Sequence, residues 1–108
     1  MADFMKALQQ MQEVQGKLQK MQEELKARTV TGTAGGGMVT VEANGTGEVK
    51  RVKIDPSIVN PADVEMLEDL VAVAAAEAQK KAAELSQSMA QEEMSRALPF
   101  PLPFKLPF

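Results

Sequence analysis

At 108 residues the chain has room for one small domain, and it holds no cysteine, histidine, tryptophan or tyrosine. Disulfides and thiolate metal sites are excluded, and with histidine go the commonest general base and the commonest zinc ligand. Twelve basic and fifteen acidic side chains leave a net charge of −3, which by itself argues mildly against a polyanion as partner.

The remaining hydroxyl nucleophiles, Ser57, Ser86, Ser88 and Ser95, have no histidine to activate them, and most carboxylates share helical stretches with lysines. A non-enzymatic protein without cofactor or metal is therefore expected. The start, "MADFMKALQQMQ", shows no basic segment followed by an apolar one, and no apolar run approaches the ~20 residues that span a bilayer. The expected location is the cytoplasm, with no membrane partner.

From Asp3 to about Ala27 the only helix breaker is Gly16, and Gln, Glu, Lys, Leu and Met dominate. Phe4, Ala7, Met11, Val14, Leu18, Met21 and Leu25 recur at alternating steps of three and four, a heptad pattern kept for three repeats. It fits either a coiled-coil seam or an amphipathic helix lying on a core, and both need a partner surface.

The periodicity then changes to two. "RTVTGTA" reads as a first strand, "MVTVEA" as a second with Val39, Val41 and Ala43 on one face, and "EVKRVKI" as a third with Val52 and Ile54 on one face. Val49 is out of phase with those two, which places a bulge near Lys50. Asn44-Gly45 predicts a two-residue type I′ turn between the second and third strands.

Gly35 to Gly37 join the first two strands. A phosphate-binding P-loop would follow its glycines with lysine and then serine or threonine, and a dinucleotide fingerprint would open a helix. Here Met38 follows and the glycines lead into a strand, so they read as a hairpin loop tolerating positive φ. Three bare residues also allow close approach to a nucleic-acid backbone.

Asp55-Pro56 closes the third strand, and "SIVN" reads as a turn, at most one turn of helix. Asn60-Pro61-Ala62-Asp63 predicts a helix start with Asn60 as cap, Pro61 at N1 and Asp63 at N3. The helix can run to Ala97, with a possible break near Ser86 and Ser88. Its apolar stripe narrows to Ala74, Ala78 and Ala82, which admits a close neighbour. At 1.5 Å per residue about 34 residues span ~50 Å, and the first helix ~37 Å. A compact domain of this size has a radius of gyration near ~13 Å. Both helices overrun it, so they project, and dimerisation would cover the apolar surface that one copy leaves open.

Charge is unevenly spread. Residues 1–28 carry a balance of +1 and residues 62–98 a balance of −5, so the acidity sits on the second helix, much of it near its start where it favours the dipole. The domain is expected over residues 1–97. Beyond it "LPFPLPFKLPF", residues 98–108, alternates proline with Leu or Phe, expected as flexible polyproline II or disorder that folds back onto a groove or binds a protein partner.

"GTAGGGMVTVEANGTGEVKRVKIDPS" followed by "DVEMLEDLVAVAAAEAQKKA" resembles the YbaB/EbfC family of bacterial nucleoid-associated proteins, over roughly residues 4–96. The resemblance implies an α+β fold: a long N-terminal helix, a three-stranded antiparallel sheet and a long C-terminal helical segment, paired as a tweezers-like homodimer. It implies duplex DNA binding at the nucleoid without catalysis, for nucleoid organisation or gene regulation, through the helical arms. The tail "PFPLPFKLPF" departs from the more glycine-rich ending of the family.

On charge alone the candidate DNA contacts are Lys6, Lys17, Lys20, Lys26 and Arg28 on the first helix. Lys50, Arg51 and Lys53 follow on the third strand, and Lys80, Lys81 and Arg96 on the second helix. Each can equally be a solvated surface cation. With phenylalanine only at position 4 and in the tail, base stacking has no platform, which favours duplex over single strands and weak sequence preference. The competing class is a protein-binding coiled-coil scaffold or holdase-like clamp, to which eight adaptable methionines would suit.

Overall fold

The computed structural model describes residues 2–97, apart from the side chains of Arg96 and Ala97. Helix α1 (Ala2–Ala27) leads into strands β1 (Thr29–Ala34), β2 (Val39–Asn44) and β3 (Val49–Ile54), then a 3-10 turn (Pro56–Ile58) and helix α2 (Val64–Ala97). The strands form one antiparallel sheet in the order β1-β2-β3. This is the expected α+β architecture, and α2 runs through Ser86 and Ser88 without a break. The proposed tail from Leu98 onward lies outside the described residues.

Alternation along β2 sets the core. Val39, Val41 and Ala43 are fully buried against Ala74 and Ala78 of α2, with Val30, Ala34, Leu67, Leu70 and Val71 around them. The alanine stripe lets the helix backbone sit directly on β1. A Cβ at Gly32 would fall inside the contact radius of the Ala74 carbonyl oxygen and the Ala78 nitrogen. The register shifts between Glu42 and Ala43, pairing Glu42 with Arg51 and Ala43 with Val49, so Lys50 is the extra residue of the expected bulge.

Two expectations are corrected. Asn44-Gly45 is not the centre of a type I′ turn: neither residue has positive φ, whereas Gly47 does, at +91°. The loop is longer because Asn44 is committed elsewhere. Its Oδ1 accepts from the backbone N–H groups of Thr46 (3.0 Å) and Glu48 (3.0 Å) and from the Thr46 hydroxyl (2.6 Å). The Gly47 N–H returns to the Asn44 carbonyl at 3.0 Å, and the Gly45 N–H caps the Leu25 carbonyl of α1 at 2.8 Å. The hairpin tip thus holds the end of α1, and a Cβ at Gly45 would come within 2.8 Å of Leu25.

The second correction is at the start of α2. Asn60 spends its side chain on the Ala62 N–H within a preceding turn, and its carbonyl accepts from the Asp63 N–H at 2.9 Å. Asp63 is the cap: its Oδ1 accepts from the Met66 N–H at 3.2 Å, and Val64 is the first helical residue. Gly35 to Gly37 do form the β1–β2 hairpin loop, all three at positive φ (62°, 67° and 92°).

Asp55 caps the 3-10 turn, accepting from the Ser57 N–H at 2.8 Å. That backbone hydrogen bond, followed by one from the Ser57 side chain, holds its carboxyl below the ordinary value of 3.8. A depressed carboxyl stabilises the fold above its unfolded value, and the contribution fades as pH falls through the folded one. Asp55→Ala is therefore expected to lower the melting temperature slightly at neutral pH, the site being exposed, and to melt with the wild type below the carboxylate range. Thermal melts across pH check it.

Among the described residues, α1 packs against the rest at its C-terminal half. Met21 and Leu25 pack with Met89, Leu85 and Ala90. Earlier heptad positions are open: Phe4 is 66% exposed and Met11 61%. The two helices leave the sheet as one arm, and the molecule measures 72 × 26 × 17 Å with a radius of gyration of 19.9 Å, against ~13 Å for a compact chain of this length.

Candidate nucleic-acid interface

The basic residues fall into separate groups. Lys17, Lys20 and Arg28 line one cleft of about 410 Å³ along the arm, together with Met21, Glu24, Glu92 and others. All three cations are exposed. They come together because spacings of three and eight residues put them along one face of α1 and its C-terminal end, and the packing of α1 on α2 brings the acids of α2 to the cleft. Spacing adds further acids, since Glu13 with Lys17 and Lys20 with Glu24 stand four residues apart on α1. The cleft is therefore of mixed charge, with its cations toward the α1 side.

Arg51 and Lys53 form a second group. Their partners across the sheet are Glu42 and Thr40, which alternate with the buried Val39, Val41 and Ala43. They therefore lie on the face that α2 does not cover, which they share with Thr31 and Thr33 of β1 across the intervening Glu42 and Thr40. Lys50, at the bulge, donates to the Thr29 hydroxyl at 3.4 Å. Hydroxyls and cations on one flat face suit phosphate oxygens. The threonines went unrecognised in the sequence, although their alternation with Val30, Gly32 and Ala34 marks them as outward. Charges on β3 also have a structural use, since they blunt an edge strand against aggregation.

The rest do not join either group by any observed contact. Lys81 pairs with Glu77 at 3.1 Å, a local i,i+4 bridge between partly exposed side chains. Lys6, Lys26 and Lys80 are exposed, and Arg96 stands on α2 with its side chain outside the described residues. Among the described residues no cluster of three or more His, Cys, Asp or Glu is placed to hold a metal. No described helix is long and apolar enough to cross a membrane.

A family model described as the YbaB/EbfC DNA-binding family matches residues 1–98. The chain belongs to this family. A nucleoid-associated protein of Gemmatimonas aurantiaca is 54% identical over 85 residues, covering 79% of this chain and 82% of that one. A nucleoid-associated protein of Rhizobium meliloti is 44% identical over 101 residues, covering 94% of each. Among solved structures, an uncharacterised protein of Helicobacter pylori superposes with a TM-score of 0.70 at 26% identity, over 78% of this chain and 88% of that one. YbaB/EbfC membership thus accounts for the helix–sheet–helix order and for the extended outline, and it makes DNA the family's ligand.

Proposed function

We propose that the protein binds duplex DNA as a homodimer, without catalysis and with weak sequence preference, in nucleoid organisation or gene regulation in the bacterial cytoplasm. The observation that carries this is the projecting two-helix arm with Lys17, Lys20 and Arg28 along one flank, in a chain of a DNA-binding family. α1 is ~39 Å long at 1.5 Å per residue. One turn of duplex is about 34–36 Å, so an arm can follow the backbone for a full turn. The cations release counterions from a dense polyanion, a contribution that does not depend on base sequence.

Pairing is supported by the sheet. α2 covers β1 and β2, while Val49 and Val52 share the face of Ala43 and Val41 yet stay 47% and 42% exposed. A second copy over that face would bury them and set two arms astride a duplex. Arg51 and Lys53, on the opposite face, are the second contact surface of this reading. Lys6, Lys26, Lys50, Lys80, Lys81 and Arg96 are assigned supporting phosphate contacts, with Lys81 the weakest because Glu77 already holds it.

A binding titration with duplexes of differing sequence, at low and moderate salt, tests the proposal. Expected are similar affinities across sequences and a steep loss with salt. No complex at micromolar protein, alongside capture of a protein by the open apolar positions of α1, would overturn it in favour of the coiled-coil scaffold or holdase-like clamp.

A further inference from the structure

The chain holds two asparagines. Asn60 precedes Pro61, which has no backbone N–H. Asn44 precedes Gly45, whose nitrogen has no Cβ beside it to hinder attack on the neighbouring carboxamide. In an unfolded chain such a pair closes to a cyclic imide with loss of ammonia.

In the fold both partners of that reaction are held. Asn44 closes β2 opposite Thr29 and is 6% exposed. Its Oδ1 accepts from the N–H groups of Thr46 and Glu48 and from the Thr46 hydroxyl. Those bonds belong to the loop and leave the attacking atom untouched. The Gly45 nitrogen is held by α1: it donates to the Leu25 carbonyl at 2.8 Å. Leu25 in turn is fixed by a small cluster with Met21 and Met89, separate from the main core of Val39, Val41, Ala43, Ala74 and Ala78. A helix end resting on a small cluster opens at lower free energy than the core does.

We propose that Asn44 is a modification site guarded by α1: it deamidates when the end of α1 lifts from the hairpin tip, and the product keeps the arm from docking again. With α1 away, the Gly45 nitrogen gives up its proton to solvent base and bonds to Asn44 Cγ. The carboxamide nitrogen takes a proton and leaves as ammonia. Water then opens the imide at one of its two carbonyls, leaving aspartate or isoaspartate at position 44. Isoaspartate routes the main chain through Cβ and Cγ and lengthens it by one atom between β2 and Gly45, so the Gly45 N–H no longer falls on the Leu25 carbonyl. Water is the only co-reactant, and the inference does not rest on DNA binding.

The full chain is incubated at mildly alkaline pH, native and in urea, and the peptide holding residue 44 is followed by mass spectrometry, with aspartate and isoaspartate separated by chromatography. The native chain is expected to react about a hundredfold or more slowly than the chain in urea, because the rate follows the open population. Leu25→Ala loosens the end of α1. Leu70→Ala removes the same atoms from the main core at the other end of the sheet, beside Gly35. With low urea added to bring the two variants to equal stability, Leu25→Ala should react about tenfold faster than Leu70→Ala. Met21→Ala, a second cut in the α1 cluster, runs alongside and should also exceed Leu70→Ala, so the comparison holds even where Leu25→Ala fails to fold. In purified isoaspartate chains, hydrogen exchange at the end of α1 should be faster than in fresh protein. A native rate within about threefold of that in urea overturns the guard. Equal rates in the α1 and main-core variants give it to the whole fold and overturn the role of α1, and unchanged exchange in the isoaspartate chain overturns the one-way release.

Discussion

Gly32→Val is expected to remove most of the folding free energy, with a loss of about 3 kcal/mol or more. The side chain has nowhere to go. Even a Cβ at Gly32 meets backbone atoms, the Ala74 carbonyl oxygen and the Ala78 nitrogen, rather than the tip of a flexible side chain. To admit it, α2 must lift from β1, opening the layer of Val39, Val41, Ala74 and Ala78 that forms the main core. Small domains keep only about 5–15 kcal/mol in hand, so the variant should unfold at low urea. Gly16→Ala is the matching control. It sits inside α1 where a Cβ meets nothing within 4 Å, and it should raise stability by about 0.5–1 kcal/mol. Urea midpoints of the three chains decide; a normal midpoint for Gly32→Val would refute the close packing of helix on sheet.

Lys17→Ala with Lys20→Ala is expected to weaken duplex binding about tenfold or more at low salt, and to flatten its salt dependence. In a dimer the change removes four cations. At about 0.9 in slope per phosphate contact, the plot of log affinity against log salt should become shallower by up to about 3.6. Stability and dimer mass should not move, because both side chains are exposed and neither belongs to the buried cluster of Met21, Leu25 and Met89. Arg51→Ala with Lys53→Ala reports on the opposite surface, the outer face of the sheet, and its effect relative to the first pair shows which surface the duplex follows. Lys81→Ala should change little, since Glu77 holds that cation locally. Unaltered binding by the Lys17/Lys20 variant would remove the arm from the interface.

Much of the fold was legible because the signals were local. The lack of breakers other than Gly16 from Asp3 to Ala27, the switch to alternation at Val39, the phase slip at Val49 and the alanine stripe of α2 each carry their own geometry. The misread features were places where two local solutions compete. Asn60 and Asp63 both have side chains able to cap, and the turn that Asn60 makes with Ala62 leaves the helix to Asp63. Asn44-Gly45 carries a hairpin signature, yet both residues are spent on holding the loop and the end of α1. Gly32 could not be singled out, because its constraint comes from a helix forty residues away in sequence.

The interface was less legible for the same reason. The basic positions are plain in the sequence, but which acids they face depends on α1 and α2 packing antiparallel. That packing sets Lys17 and Lys20 beside Glu92, an acid that lies more than seventy residues on. The alternation of Thr31 and Thr33 could have been read; that they share a face with Arg51 and Lys53, one strand apart, needed the order of the strands.

The most direct test of paired arms astride a duplex is light scattering of the full chain, alone and bound to a short duplex of about two turns. The account predicts a protein mass of twice the chain's 11.7 kDa in both states, with the complex dispersed by moderate salt. A protein mass of 11.7 kDa, free and on the duplex alike, would contradict it.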